Sequence, residues 1–81
     1  MPRHYRLLYF ASLRDRTGCD SETFTSNATQ PRDLYTQVAQ RHGITLAADR
    51  VRVAVNGEFA DWNRGLQDGD EIVFLPPVSG G

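Results

Sequence analysis

The sequence predicts one small α+β domain with the β-grasp, or ubiquitin-like, architecture, in which one main helix packs across one face of a mixed sheet of about five strands. Its length of 81 residues is that of a single domain. Only one segment has a long helical pattern, and a lone helix covers one sheet face. The first and last strands are expected side by side and parallel in the middle of the sheet. The predicted order is β-β-α-β-β-β, with the domain in residues 1–75 and an extended tail in residues 76–81.

The first predicted strand covers residues 5–11, which are rich in aromatic and aliphatic side chains. Residues 12–19 are mostly polar and include a glycine near their end, so a loop or a single helical turn is expected there. A second, weaker strand is expected at about residues 20–25. These two strands are predicted to pair with each other.

Residues 31–42 are predicted to form the only long helix. Pro31 suits the first helical position, and Thr29 or Gln30 is the expected cap. Apolar spacing of three and four residues continues from Leu34 to His42, whose only expected role is with the helix dipole. A glycine at position 43 then ends the helix. Residues 44–49 are expected to form a short turn tucked under the domain.

The strongest strand signal is the alternation in residues 51–55. Asn56-Gly57 follows and is typical of a tight hairpin turn, so residues 58–60 are predicted to return as the partner strand. Residues 61–70 are expected to be turns, with Trp62 capping the core. The last predicted strand covers residues 71–75.

Alternation within these strands leaves apolar side chains on the sheet face opposite to the helix. That face is expected to carry Leu8, Phe10, Val73 and Leu75, with Phe59 joining them from the fourth strand. A contiguous apolar patch of this kind favours a partner surface. The alternatives are loops that fold over the face and central strands that are simply hydrophobic. Arg14 follows Phe10 by four residues and could donate a hydrogen bond to a partner at the edge of the patch.

The sequence ends in Pro76-Pro77-Val78-Ser79-Gly80-Gly81. The prolines favour an extended path, and glycines without Cβ atoms make a thin end. At about 3.3 Å per residue, six residues reach roughly 20 Å. This combination favours a carrier whose terminal carboxylate visits another protein's active site. The alternative is a floppy end or a cloning scar.

Composition argues against several classes of function. The net charge of −1 gives no electrostatic footprint for nucleic acid or an anionic membrane, and no apolar run is long enough to span a bilayer. A cytoplasmic location is the default expectation. Cys19 is the only cysteine and the two histidines are far apart, so no metal site is expected. All nine basic residues are arginine, which excludes lysine-linked chains of this protein.

Three blocks, residues 8–14, 53–57 and 66–81, resemble the family of small, sulfur-carrier subunits of molybdopterin synthase. The third block is the most specific because Pro-Pro-Val-Ser precedes Gly-Gly. Sulfur carriers for thiamine synthesis or tRNA thiolation share the fold and the Gly-Gly end but usually lack the Pro-Pro-Val-Ser segment before it. They remain alternatives, as do a ubiquitin-like protein modifier and an interaction domain with an inert tail. Leu75 stands where the family has an aromatic residue, and no role follows for His4 or Cys19.

The resemblance implies that a ubiquitin-activating-like adenylyltransferase uses ATP to activate the carboxylate of Gly81. A sulfurtransferase then supplies sulfur, which is carried covalently as a thiocarboxylate. The tail enters the large synthase subunit, in a heterotetramer of two small and two large subunits. There the sulfur attacks cyclic pyranopterin monophosphate to build the dithiolene of molybdopterin. The chain alone is expected to be non-catalytic and to hold no permanent cofactor or metal.

The same resemblance implies which residues carry these steps. The chemistry is placed at Gly81 and the adjacent Gly80, and the partner-binding residues are Phe10, Arg14, Phe59, Leu75, Pro76, Pro77, Val78 and Ser79.

Overall fold

The computed structural model describes residues 2–77. Its elements are β1 (Arg3–Tyr9), α1 (Ala11–Thr17), β2 (Ser21–Ser26), α2 (Pro31–His42), a 3₁₀ turn (Ala48–Arg50), β3 (Arg52–Val55), β4 (Glu58–Ala60) and β5 (Glu71–Leu75). The sheet order is β2-β1-β5-β3-β4, with β1 parallel to β5 and the other pairs antiparallel. This arrangement confirms the predicted mixed β-grasp sheet. Four predicted tail residues, Val78, Ser79, Gly80 and Gly81, lie outside the described residues.

The connection between β1 and β2 differs from the prediction. The first strand ends at Tyr9 and not at residue 11, and Ala11 begins a seven-residue helix where a loop or a single turn was expected. One buried side chain, Leu13, fixes this helix to the core, and tertiary packing of this kind stabilises helices too short to form alone. Gly18 ends it in the left-handed conformation, and its N–H donates to the carbonyl of Arg14 at 2.9 Å.

The main helix, α2, matches its predicted bounds. Gln30 is its N-cap residue, although its side chain makes no capping hydrogen bond, and Gly43 terminates it at φ 68°. The apolar side of α2 packs on one face of the sheet. The buried side chains that it contributes are Pro31, Leu34, Tyr35 and Val38.

The core lies between α2 and the covered face of the sheet. The strands contribute alternating residues that are almost fully buried, namely Tyr5, Leu7, Tyr9, Val53, Val55, Ile72 and Phe74. Trp62 caps this core as predicted, because its ring stacks on Phe74 at a centroid distance of 6.0 Å and meets Tyr35 edge-on at 5.5 Å.

Two turns are fixed to the strands that flank them. Asn56 and Gly57 both have positive φ, 52° and 87°, as a two-residue hairpin turn of type I′ requires. The carboxamide of Asn56 accepts a hydrogen bond from the N–H of Glu71 at 2.9 Å, which ties the hairpin to the start of β5. His4, to which no role was assigned, donates its backbone N–H to the carboxylate of Asp68 at 2.6 Å and thereby holds the turn before β5.

Candidate partner-binding face

A row of apolar side chains crosses the uncovered face of the sheet. Leu8 pairs with Val73, Val73 with Ala54, and Ala54 with Phe59. Directly paired residues point to the same side of a sheet, so these four residues form one continuous row, called here the apolar strip. Leu8, Val73 and Ala54 are half-buried, whereas Phe59 is 61% exposed. The predicted apolar patch is therefore confirmed, and the exposure of Phe59 argues against loops that fold over the face.

An apolar groove continues from the strip to the beginning of the tail. Leu75 lies two residues after Val73 on β5 and therefore points to the same face. The groove has a volume of about 550 Å³ and is lined by Phe10, Ala11, Ser12, Leu46, Leu75, Pro76 and Pro77. We call it the tail-base groove. The predicted patch and the first two tail residues thus meet at one end of the domain.

A strained residue forms part of this groove. Phe10 is extended, and Ala11 follows it with φ 52°, in the left-handed region that residues with a Cβ adopt at a cost of about 1–2 kcal/mol. The resulting turn directs the chain from β1 into α1. It buries Leu13 and leaves Phe10 49% exposed. Strain is therefore maintained at the point where an aromatic side chain is held at the surface.

Arginines flank both ends of the apolar surface. The Arg14 side chain is 54% exposed, and its Nε lies 3.7 Å from a carboxylate oxygen of Asp20, an exposed pair of small energetic worth. At the other end, the guanidinium carbon of Arg52 lies 4.1 Å from the centroid of the Phe59 ring. Arg52 and Phe59 line a second groove of about 530 Å³ together with Ala60, Asp61 and Arg64.

The covered side of the sheet holds a polar cluster that the sequence reasoning missed. The Tyr9 hydroxyl donates to Oε2 of Glu22 at 2.6 Å, and Nε2 of His42 lies 2.7 Å from the same oxygen. The Tyr9 and His42 rings also meet edge-on at 6.0 Å. His42 was expected to act only on the helix dipole; that prediction is wrong because its ring reaches a carboxylate on β2.

The cluster shifts the pKa values of two of its ionisable groups. Burial opposes ionisation of Glu22, but hydrogen bonds from Tyr9 and His42 outweigh it, so the pKa of this carboxyl lies below its usual value. Burial, and then the nearby Glu22 carboxylate, raise the pKa of the Tyr9 hydroxyl. Because the three side chains join β1, β2 and α2 on the helix side, they stabilise the fold and lie away from the apolar strip.

The described residues contain little other chemistry. Residues 2–77 hold no group of three or more histidine, cysteine, aspartate or glutamate side chains that could bind a metal ion. Cys19 is half-buried, with Sγ 3.8 Å from the hydroxyl of Thr17. Within the same range, no helix combines the length and the apolar character that crossing a membrane requires.

The structure thus brings Phe10, Leu75, Pro76 and Pro77 into one groove, with Phe59 on the adjoining strip. Arg14 is exposed on the helix that begins directly after Phe10. The binding roles of these residues remain predictions.

Comparisons with known proteins give matches over nearly the whole chain. The ThiS family matches residues 7–81, a range that includes the strip and the final glycines. The molybdopterin synthase sulfur carrier subunit of Mycobacterium tuberculosis is 35% identical over 80 residues, which covers 93% of this chain and 94% of that protein.

Solved structures show the same fold. A putative molybdopterin converting factor, subunit 1, from Pyrococcus furiosus is 30% identical with a TM-score of 0.78, and the match covers 94% of this chain and 99% of that one. A chain in the protein–protein complex of subunits 1 and 2 of molybdopterin-converting factor from Helicobacter pylori is 26% identical with a TM-score of 0.65. That match covers 96% of this chain and 99% of the other.

Proposed function

The chain belongs to the ThiS family, and from this premise we propose that it is a sulfur carrier for molybdenum cofactor biosynthesis. One observation carries the proposal: the apolar strip runs into a groove that includes Pro76 and Pro77, directly before Val78-Ser79-Gly80-Gly81. A surface suited to a partner therefore leads to a thin chain end suited to that partner's active site. The solved complex of the Helicobacter pylori subunits supports a protein partner for this fold.

The proposed activation begins at the carboxylate of Gly81, which is a poor electrophile in its ionised form. An adenylyltransferase transfers AMP from ATP to this carboxylate and releases pyrophosphate, which gives the carbonyl carbon a good leaving group. A persulfide on a sulfurtransferase attacks that carbon and displaces AMP. A thiol then attacks the cysteine sulfur of the sulfurtransferase in this acyl disulfide and forms a disulfide with it. The outer sulfur of the persulfide stays on Gly81 as the thiocarboxylate.

The thiocarboxylate is a strong, soft nucleophile on a tether. Binding of the strip and groove to the large subunit raises the effective concentration of this sulfur beside cyclic pyranopterin monophosphate. Two carrier molecules deliver the two sulfurs of the dithiolene, in a heterotetramer of two small and two large subunits. The acid–base groups belong to the large subunit in this scheme, and the Tyr9–Glu22–His42 cluster takes no part because it lies on the covered side.

The test is the intact mass of the purified chain after incubation with ATP, the adenylyltransferase and a sulfurtransferase with its sulfur source. We expect a mass gain equal to sulfur replacing oxygen, located at Gly81 by fragmentation. A chain lacking Gly81 should show no such gain, whereas C19S should gain as the unaltered chain does, which excludes a persulfide on Cys19. An unchanged mass, obtained with an activating system that is competent on another carrier, would refute the proposal.

The acceptor separates this function from sulfur carriers of other pathways. We expect the loaded chain, mixed with the large subunit and cyclic pyranopterin monophosphate, to lose its sulfur and yield the dithiolene product. Transfer to a thiamine precursor or a tRNA, without transfer to the pterin, would assign the chain to another sulfur pathway. Covalent adducts with lysines of other proteins would instead indicate a modifier.

A further inference from the structure

Arg52 occupies an unusual position at the end of the apolar strip. It pairs with Leu75 across β3 and β5, so its side chain shares the uncovered face with the strip. Its guanidinium carbon lies 4.1 Å from the ring centroid of Phe59, which is itself 61% exposed. Cation–π stacking on this ring favours one orientation of a guanidinium that would otherwise sample many rotamers.

The stacked guanidinium has no acidic partner within residues 2–77. The ion pairs among these residues involve His4, Arg14 and His42, and neither Arg52 nor Arg64 takes part in one. Asp61 lines the same groove but makes no salt bridge with either arginine. A guanidinium carries five N–H donors in a planar fork that matches a carboxylate. Arg52 therefore presents an oriented, uncommitted cationic fork beside an apolar surface.

We propose that Arg52 is a specificity-determining residue that receives a carboxylate, from an aspartate or glutamate side chain, of the large synthase subunit. The matching surface on that subunit is apolar opposite the strip and acidic opposite the stacked guanidinium. This assignment rests on the proposed function. The position favours a partner that receives the tail, because Arg52 lies across from Leu75 and therefore beside the start of the tail. The solved complex of subunits 1 and 2 from Helicobacter pylori supports the large subunit as that partner. An ion pair there fixes the position of the domain on the large subunit close to the start of the tail, and this position determines how far the tail reaches into that subunit.

The chain offers a matched control for this contact. Arg41 also lies over a phenyl ring, with its guanidinium carbon 5.4 Å from the centroid of Phe24, but it projects from α2 on the covered side of the sheet. R52Q and R41Q thus remove the same charge and the same kind of stacking from opposite sides of the domain. The conservative variant R52K keeps the charge and loses the planar fork.

The measurement is the Kd of each full-length chain for the purified large subunit, at low and at moderate salt. We expect R52Q to bind at least about ten-fold more weakly than the unaltered chain and to show a weaker salt dependence. R52K should lie between them, and R41Q should stay within about two-fold. In double-mutant cycles, one Asp→Asn or Glu→Gln change on the large subunit should lose most of its effect in the R52Q background. Melting temperatures check that every variant is folded.

The outcomes separate this assignment from the proposed function. If R52Q binds the large subunit as tightly as the unaltered chain, or no carboxylate on that subunit couples to Arg52, the assignment is overturned while the sulfur-carrier function stands. If R52Q keeps its affinity for the large subunit but loses sulfur loading, the carboxylate belongs to the activating enzyme and the assignment is again overturned. If the unaltered chain neither gains sulfur nor binds the large subunit, the proposed function itself fails.

Discussion

Replacing Glu22 with glutamine removes the charge on which the buried polar cluster depends. In the folded protein the Glu22 carboxylate accepts from the Tyr9 hydroxyl at 2.6 Å and contacts Nε2 of His42 at 2.7 Å, and its side chain is only 18% exposed. Glutamine keeps the shape and one acceptor oxygen but loses the negative charge. Hydrogen bonds to charged groups contribute about 1.5–3 kcal/mol each. Because glutamine retains part of one bond, we expect E22Q to lower the free energy of unfolding by about 2 kcal/mol.

The effect of E22Q should also depend on pH. The pKa of Glu22 is lowered in the folded protein relative to its ordinary value of 4.5, so its contribution is fully present above that pH and is lost as the pH falls through the folded-state pKa. The stability difference between the unaltered chain and E22Q should therefore be constant near neutral pH. It should shrink in acid below about pH 4.5.

Urea unfolding between pH 3 and pH 7 measures this difference, and thermal unfolding checks it, since about 2 kcal/mol corresponds to a loss of roughly 10 °C in a domain of this size. The matched control is E58Q, on the exposed hairpin strand β4, which should change the free energy by no more than about 0.5 kcal/mol. Equal stabilities of E22Q and E58Q at pH 7, or a difference that does not shrink in acid, would show that the cluster does not stabilise the fold in this way.

Two further changes test the uncovered face and the groove. Ala11→Gly should raise the free energy of unfolding by about 0.5–1 kcal/mol, because the relief of left-handed strain exceeds the added cost in backbone entropy. Urea unfolding measures this change. The control is Ala39→Gly inside α2, which should lower the free energy of unfolding by about 1 kcal/mol. A stability of Ala11→Gly below that of the unaltered chain would contradict the strain. Phe59→Ala should weaken binding to the large subunit at least about ten-fold, and it should change the melting temperature little because Phe59 is 61% exposed. Titration calorimetry measures the affinity. The control is Thr36→Ala, at an exposed position on α2. Equal affinities of these two variants would remove the strip from the interface.

The sequence was sufficient for the sheet, α2 and the apolar face. Side-chain alternation assigns residues to faces without knowledge of the exact pairing, which is why Leu8 and Val73 were placed correctly even though β1 begins two residues earlier than predicted. The bounds of α2 follow from local signals, a proline at its first position and a glycine after its last. Such signals depend only on residues close in sequence, so the bounds of α2 are predicted correctly even where the bounds of other elements are not.

The missed features depend on contacts between distant residues. Helix α1 has a single buried side chain, Leu13, and starts at an alanine with positive φ, so no local sequence pattern predicts this helix. Glu22 and His42 are 20 residues apart, and a histidine in an apolar stripe gave no sign of a carboxylate partner. The Arg52–Phe59 stack could have been found, because a two-residue hairpin turn opposes Ala54 to Phe59 and places Arg52 diagonally beside it.

The two sides of the sheet have different roles in the proposed function: the covered side stabilises the fold, and the uncovered face binds the partner. The ionisable cluster lies on the covered side and joins three elements, so changes there should act on folding and leave sulfur loading intact in the chains that remain folded. Phe59 and Phe10 are about half exposed or more, so they contribute little to folding, and exposed large aromatics that border one apolar surface favour a partner-binding role. In the proposed function the reacting atom is carried on the tail, and the folded domain serves to position it.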